Sequence, residues 1–194
     1  MLSNQLLSAD QPTLEGYLNF YPATNLKLHS HPIVLVHGWG VNSEIWQDLP
    51  QILSEFADIY TIDLPGFAGS KPLNSYSEQS LVDWLHKEIP QPCYLIGLSL
   101  GGMLCRSFAS QFPSDVVGLV AISANLKFVA DSAYGNAMPL SDFEAFSAIW
   151  NENPKACLNR FLGLQAQGDQ SQRQLIKQLR KLNSDIDVEA GKAM

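Results

Sequence analysis

A serine with the surroundings of a nucleophile lies near the middle of the chain, in the pentapeptide Gly97-Leu98-Ser99-Leu100-Gly101. This G-x-S-x-G pattern directly follows the apolar run Cys93–Ile96 and directly precedes a segment of helical length. A tight strand-to-helix turn projects a serine hydroxyl clear of a sheet, and the flanking glycines avoid side-chain collisions in the strained turn. The pattern therefore indicates a serine placed for nucleophilic attack. The alternative is a tight turn that contains a serine by chance.

A second motif, His37-Gly38-Trp39-Gly40, follows the apolar run Ile33–Val36. In G-x-S-x-G enzymes the loop after this strand supplies one backbone N–H to the oxyanion hole, and the residue after the serine supplies the other. In this sequence those groups are the amides of Trp39 and Leu100. We interpret the His37 imidazole as a structural hydrogen-bonding group, with a catalytic base as the alternative.

An acidic residue, Asp63, opens the segment Asp63–Ser70 (DLPGFAGS) after the apolar run Ile59–Ile62. Its carboxylate has two interpretations, as the acid of a catalytic triad or as a group that fixes a tight loop. Proline and glycine at positions 65 and 66 set a turn, which favours the second interpretation.

The surrounding elements predict an α/β fold with a doubly wound, mostly parallel sheet, because uninterrupted apolar runs alternate with segments of helical length. The predicted strands are Ile33–Val36, Ile59–Ile62, Tyr94–Ile96 and Val116–Ile122, and residues 14–31 are expected to add one or two antiparallel edge strands. The predicted helices are Ser43–Glu55, Ser77–Glu88 and Gly101–Gln111.

The pattern changes after Ile122 and becomes helical. Ser141 and Glu144 have the spacing of a capping box, and Asn153-Pro154 predicts a second helix start that runs to about Leu164. Arg173–Leu182 is amphipathic and predicts a third helix. We therefore divide the chain into a core (residues 1–138), a helical lid (139–185) and a short tail (186–194).

Composition and charge restrict the class of protein. With 194 residues, 46% of them hydrophobic, the chain is expected to fold as one domain without a transmembrane segment. Residues 1–12 predict no signal peptide, and three cysteines predict free thiols in a reducing cytoplasm. The net charge of −7 argues against nucleic acid as a partner. Residues 155–181 nevertheless carry +5, which indicates either a solvated helix face or a docking patch for an acidic partner.

Four stretches together resemble the α/β-hydrolase superfamily, and within it the pimeloyl-[acyl-carrier-protein] methyl ester esterases of biotin synthesis, the BioH family. They are VLVHGWGVNSEIW (34–46), DLPGFAGS (63–70), IGLSLGG (96–102) and RFLGLQ (160–165). The resemblance implies a serine carboxylesterase that cleaves a carrier-bound methyl ester to methanol and a free acid. It implies no metal and no organic cofactor.

The resemblance also implies roles for particular residues. Ser99 would be the nucleophile, and the Trp39 and Leu100 amides would form the oxyanion hole. The acyl pocket would be lined by Trp39 together with Phe161, Leu162, Gly163, Leu164 and Gln165. An acidic acyl carrier protein would dock on Arg160, Arg173 and Lys177, where lysine departs from the arginines of the family and supplies a point charge instead of a fork.

The triad departs further from the family, which orders it Ser, Asp, His along the chain. All four histidines (His29, His31, His37 and His86) precede Ser99, so no residue occupies the acid or base position of the family. We therefore expect a truncated esterase that lacks the last strands of the usual sheet, is impaired in catalysis, and can self-associate through the exposed edge of Val116–Ile122. The alternatives are a broad short-chain esterase and a non-catalytic binding module; thioesterase or peptidase chemistry also stays open.

Overall fold

The computed structural model describes residues 17–24, 30–182 and 186–193. A five-stranded sheet lies at its centre, with strand order β1-β3-β2-β4-β5. Strand β1 pairs antiparallel with β3, and all other neighbours pair in parallel. The strands are β1 Tyr17–Tyr21, β2 Ile33–Val36, β3 Ile59–Asp63, β4 Cys93–Leu98 and β5 Val116–Ile122. The predicted α/β class and the predicted antiparallel edge strand are confirmed.

The apolar strands are continuous because both faces of the sheet are covered. Val34 and Val36 of β2 pack into a cluster that includes Phe108, whereas Leu35 packs on the other face with Trp46. Parallel strands bring their carboxyl ends to the same edge of the sheet, so the loops after β2, β3 and β4 lie side by side.

Helices α1 Leu49–Leu53, α2 Glu78–Glu88 and α3 Leu100–Gln111 connect these strands. The prediction of one helix over Ser43–Glu55 is wrong, because a 3₁₀ turn at Ser43–Trp46 is separated from α1. The break occurs at Gln47, whose φ of 47° lies in the left-handed region that a helix does not use.

Further helices follow β5: α4 Leu140–Glu152, α5 Pro154–Gln165, α6 Gln172–Leu179 and α7 Val188–Ala193. Asn153 caps α5 by accepting a hydrogen bond from Ala156 N, as predicted. The capping box predicted at Ser141 is wrong: α4 starts at Leu140, directly after Pro139, so Ser141 already lies inside the first turn. Where the sequence predicts only a short tail, residues 186–194, the structure contains α7, with Ala190 fully buried.

Strand β5 forms one edge of the sheet and, among the described residues, pairs with β4 alone. Its large apolar side chains are unusually exposed: Val117 42%, Leu119 37%, Val120 53% and Ile122 38%. An unpaired edge of this kind presents backbone N–H and C=O groups as well as apolar surface.

The three cysteines, Cys93, Cys105 and Cys157, are buried free thiols. Burial raises the pKa of each thiol, which keeps the sulfur protonated and unreactive. Within the described ranges, no helix has the length and apolar character needed to cross a bilayer.

Candidate active site

Ser99 occupies the turn between β4 and α3, with φ 51° and ψ −115°. This is a strained conformation for a residue other than glycine. Its neighbours leave no space for side chains: a Cβ placed on Gly97 would lie 2.5 Å from the Gly101 backbone, and one on Gly101 would overlap the carbonyl oxygens of Val36 and His37. The glycines thus let α3 begin directly against β2 and β4, and this close approach fixes the position of Ser99.

The loop after β2 packs directly on Ser99. A Cβ placed on Gly38 would lie 3.3 Å from the Ser99 Cβ and 3.1 Å from Leu98 O. Neither the Trp39 amide nor the Leu100 amide donates a hydrogen bond to another described residue. Leu100 is the first residue of α3, where a backbone N–H has no carbonyl one turn earlier. The structure therefore places the loop that carries the Trp39 amide against Ser99, next to Leu100, and the oxyanion hole itself stays a prediction.

His37 is fully buried beside this loop and uses both ring nitrogens. Nε2 accepts a hydrogen bond from Leu64 N at 2.9 Å, so Nδ1 carries the proton and donates to Gly38 O at 2.7 Å. Burial lowers the pKa of this imidazole to about 4, which leaves it neutral near pH 7. The structural interpretation of His37 is confirmed, and the 3.8 Å approach of Nε2 to Asp63 is not an ion pair.

Asp63 ends β3 and holds the 3₁₀ turn at Ser43–Trp46, which follows the loop after β2 that carries the Trp39 amide (the oxyanion loop). Its carboxylate accepts hydrogen bonds from Ser43 N at 2.6 Å and from Ser43 Oγ at 3.1 Å. Burial raises the pKa of this carboxyl to about 6, although the two Ser43 bonds oppose the shift. The contacts are those of a group that fixes a loop.

The remaining histidines lie in other environments. His86 Nε2 lies 3.1 Å from Asp115 Oδ2, and its ring stacks on Phe112 with a centroid distance of 3.8 Å. His31 pairs with Ser30, and His29 falls outside the described residues. Across residues 17–24, 30–182 and 186–193, no histidine is hydrogen-bonded to Ser99.

The lid contacts the candidate active site at the indole ring of Trp39, which packs against three aromatic side chains of the lid. Phe161 packs edge-on against this ring at 4.9 Å, Trp150 at 5.2 Å and Phe146 at 5.4 Å. Sequence reasoning missed Phe146 and Trp150. Their i, i+4 spacing on α4 was the available signal, because it places both aromatic rings on one helix face.

The other residues predicted to line the acyl pocket are divided between the lid interior and its surface. Leu162 is fully buried in a cluster with Val41 and Leu179, whereas Leu164 is 57% exposed and Gln165 is also exposed. A cleft of about 490 Å³ opens beside the Ser99 turn. Leu100, Met103 and Phe128 are among the residues that line it, whereas Trp39 and Phe161 are not. The assignment of the acyl pocket stays a prediction.

The basic residues predicted to dock a carrier protein lie on the outside of the lid. Arg160 is exposed on α5, and Arg173 and Lys177 are exposed on α6. In the part of the chain that the structure describes, no three His, Cys, Asp or Glu side chains are grouped closely enough to hold a metal ion.

Sequence comparison identifies the class of protein to which this sheet order, the Ser99 turn and the adjacent loop after β2 belong. The profile of the alpha/beta hydrolase family matches residues 33–188, and the chain belongs to this family.

The resemblance to pimeloyl esterases is also confirmed. The chain is 39% identical to the biotin biosynthesis bifunctional protein BioHC of Cellvibrio japonicus, over 76% of this chain and 30% of that protein. It is 34% identical to the pimeloyl-[acyl-carrier protein] methyl ester esterase of Aeromonas salmonicida, over 76% of this chain and 59% of that protein. The chain thus spans less than two thirds of the length of each of these relatives. Among solved structures, the esterase EaEST of Exiguobacterium antarcticum has the same fold, with a TM-score of 0.76, 16% identity, and coverage of 91% of this chain and 66% of that one.

Proposed function

We propose that this chain carries the nucleophile and oxyanion hole of a serine carboxylic-ester hydrolase. The supporting observation is the position of Ser99, which the turn between β4 and α3 holds in a left-handed conformation against Gly38 of the oxyanion loop. A protein holds a non-glycine residue in such a conformation only where the surrounding structure enforces it, and such residues cluster at active sites.

In this proposal Ser99 Oγ attacks the ester carbonyl, and the carbonyl oxygen takes up negative charge. The Trp39 and Leu100 amides donate hydrogen bonds to that oxygen, assisted by the N-terminus of α3. Collapse of the tetrahedral intermediate expels the alcohol and leaves an acyl-enzyme, which water then hydrolyses to the free acid. The serine proton needs a base, and His37 is unsuitable because both of its nitrogens are occupied.

The proposed substrate is a pimeloyl methyl ester carried on an acyl carrier protein, which gives methanol and the free acid in biotin synthesis. The relative at 34% identity supports this substrate, because it is named a pimeloyl-[acyl-carrier protein] methyl ester esterase, and the relative at 39% identity supports biotin synthesis by its name. The aromatic surface around Trp39 supplies apolar contacts for an acyl chain, and Phe161 contributes to it from the lid.

The experiment that tests the nucleophile combines covalent labelling with a matched serine variant. Because the serine needs a base, both measurements use this chain extended with the C-terminal remainder of the Aeromonas salmonicida esterase. A fluorophosphonate probe is expected to modify this extended chain, and Ser99→Ala within it is expected to lose both the label and the hydrolysis of p-nitrophenyl acetate. Ser123→Ala is the control, because Ser123 is exposed and shares the left-handed backbone of Ser99, with φ 50°. Label that persists in Ser99→Ala, or label that never appears, would contradict the proposal, and the latter favours a non-catalytic binding module.

The basic lid face is proposed to dock the carrier protein. Single exposed ion pairs contribute only ~0–1 kcal/mol, and charges at a rim act mainly on the association rate. Reversing Arg160 and Arg173 together to Glu is therefore expected to weaken carrier binding and flatten its salt dependence, with p-nitrophenyl acetate hydrolysis unchanged. Binding is measured by titrating a pimeloyl-methyl-ester-loaded acyl carrier protein at several salt concentrations.

The control reverses the exposed Lys71 and Lys87 to Glu, which changes the net charge equally but away from the lid. If both double variants weaken binding alike, only overall charge matters. If the lid variant binds as the unchanged chain does, the basic face is simply solvated.

A further inference from the structure

We propose that helix α7, through Gly191, and Trp150 of the lid position the oxyanion amide of Trp39. The Trp39 indole Nε1 donates a hydrogen bond to Gly191 O at 2.8 Å, across 152 residues of sequence. This proposal rests on the proposed function, because it gives α7 a role in the same oxyanion hole.

Helix α7 is itself anchored to the core, so it is able to hold another group in place. Asp187 N donates to Gly66 O at 2.8 Å, and Ile186 forms an antiparallel bridge with Phe67. Ala190 is fully buried, and a Cβ placed on Gly66 would overlap its methyl group. Gly66, at φ 84°, thus allows α7 to pack directly on the loop after β3.

Trp150 joins the lid to the same helix. Its indole Nε1 donates to Val188 O at 3.2 Å, and its ring packs edge-on against Trp39. A Cβ placed on Gly191 would overlap the Cζ2 and Cη2 atoms of Trp150. Two indoles therefore bind carbonyl groups of α7, and the close contact requires glycine at position 191.

The backbone around Trp39 explains why an anchor on the side chain matters. Trp39 lies between Gly38 and Gly40, and Gly40 has φ 77°. Glycines on both sides allow the Trp39 peptide to rotate more freely than other residues would. An oxyanion hole is effective only when its donors are already oriented, so the indole hydrogen bond and the three aromatic contacts fix the direction of the Trp39 N–H.

The test is made on the Ser99-dependent hydrolysis of p-nitrophenyl acetate by the chain extended with the C-terminal remainder of the Aeromonas salmonicida esterase, since an acetyl group is too short to report on the acyl pocket. Gly191→Ala is expected to lower kcat about 10-fold with little change in KM, less than the ~10²–10³-fold loss seen when an oxyanion donor is removed. Trp39→Phe removes the indole N–H and part of the ring while it keeps an aromatic side chain, and it is expected to lower kcat at least as much. Gly135→Ala is the control, because a Cβ there meets nothing within 4 Å.

Two further measurements separate positioning from a merely structural role. Adding Trp150→Phe to Gly191→Ala makes room for the new methyl group and is expected to restore part of kcat. Hydrogen exchange of the Trp39 indole N–H is expected to be slow in the unchanged chain and fast in Gly191→Ala.

The outcomes distinguish this proposal from the proposed function. If Ser99→Ala in the extended chain hydrolyses the ester as fast as the extended chain without this substitution, the proposed function fails. If Ser99→Ala abolishes hydrolysis but Trp39→Phe and Gly191→Ala both retain kcat, the nucleophile stands and the positioning role is overturned.

Discussion

A polypeptide of these 194 residues is expected to hydrolyse esters about 10⁵–10⁶-fold more slowly than the same chain extended with the C-terminal part of a relative, as removal of a triad histidine does elsewhere. A serine hydroxyl near neutral pH needs an adjacent base to take its proton. No histidine follows Ser99 in the sequence, and none of the described histidines is hydrogen-bonded to it. The Ser99 turn and the two oxyanion amides alone are expected to leave the short chain a residual ~10³–10⁴-fold rate acceleration over the reaction in water.

The measurement compares kcat for p-nitrophenyl acetate between the 194-residue chain and a chimera that continues with the remainder of the Aeromonas salmonicida esterase. Substrate binding is expected to differ less than kcat, because Trp39 and Phe161 are present in both. The chimera with Ser99→Ala is the control for hydrolysis by the added segment. Equal turnover by the short chain, abolished by Ser99→Ala, would show that a base lies within these residues, and His37 and His86 would need re-examination.

The second large effect is expected at the edge of the sheet, where the 194-residue chain should associate with itself through β5. Unpaired backbone groups and exposed Val117, Leu119, Val120 and Ile122 together form a template for another strand. Replacing Val120 with Lys is expected to shift the chain toward monomer, because a charge on an edge strand disfavours pairing. Light scattering coupled to size-exclusion chromatography measures the change in mass.

The matched control is Ile52→Lys on α1, where the isoleucine is 56% exposed but lies away from β5. The extended chimera is expected to be less associated than the short chain. A strictly monomeric 194-residue chain, or an Ile52→Lys variant that dissociates it as well as Val120→Lys does, would refute the role of β5.

The strands around the candidate active site were predictable because local sequence determines them. The bounds of β2 and β5 match their apolar runs, and β4 differs only by extending from Cys93 to Leu98. The turn at Ser99 was predictable too. Its flanking glycines are required by contacts within the turn itself or with the end of the neighbouring strand β2.

The features that sequence did not reveal depend on distant contacts or on local breaks without a pattern. The hydrogen bond from Trp39 to Gly191 joins residues that meet only after the lid has folded over the core. The predicted capping box at Ser141 is wrong because α4 already begins at Leu140, directly after Pro139. The break at Gln47 depends on a left-handed residue that carries no glycine or asparagine signal.

The conformation of Ser99 also affects how this protein can evolve. A left-handed serine costs about 1–3 kcal/mol of folding stability, and glycine adopts the same backbone without that strain. Laboratory selection for heat resistance alone should therefore favour variants that abandon the hydroxyl at this position. Selection for stability and the proposed chemistry therefore place opposite demands on this one residue.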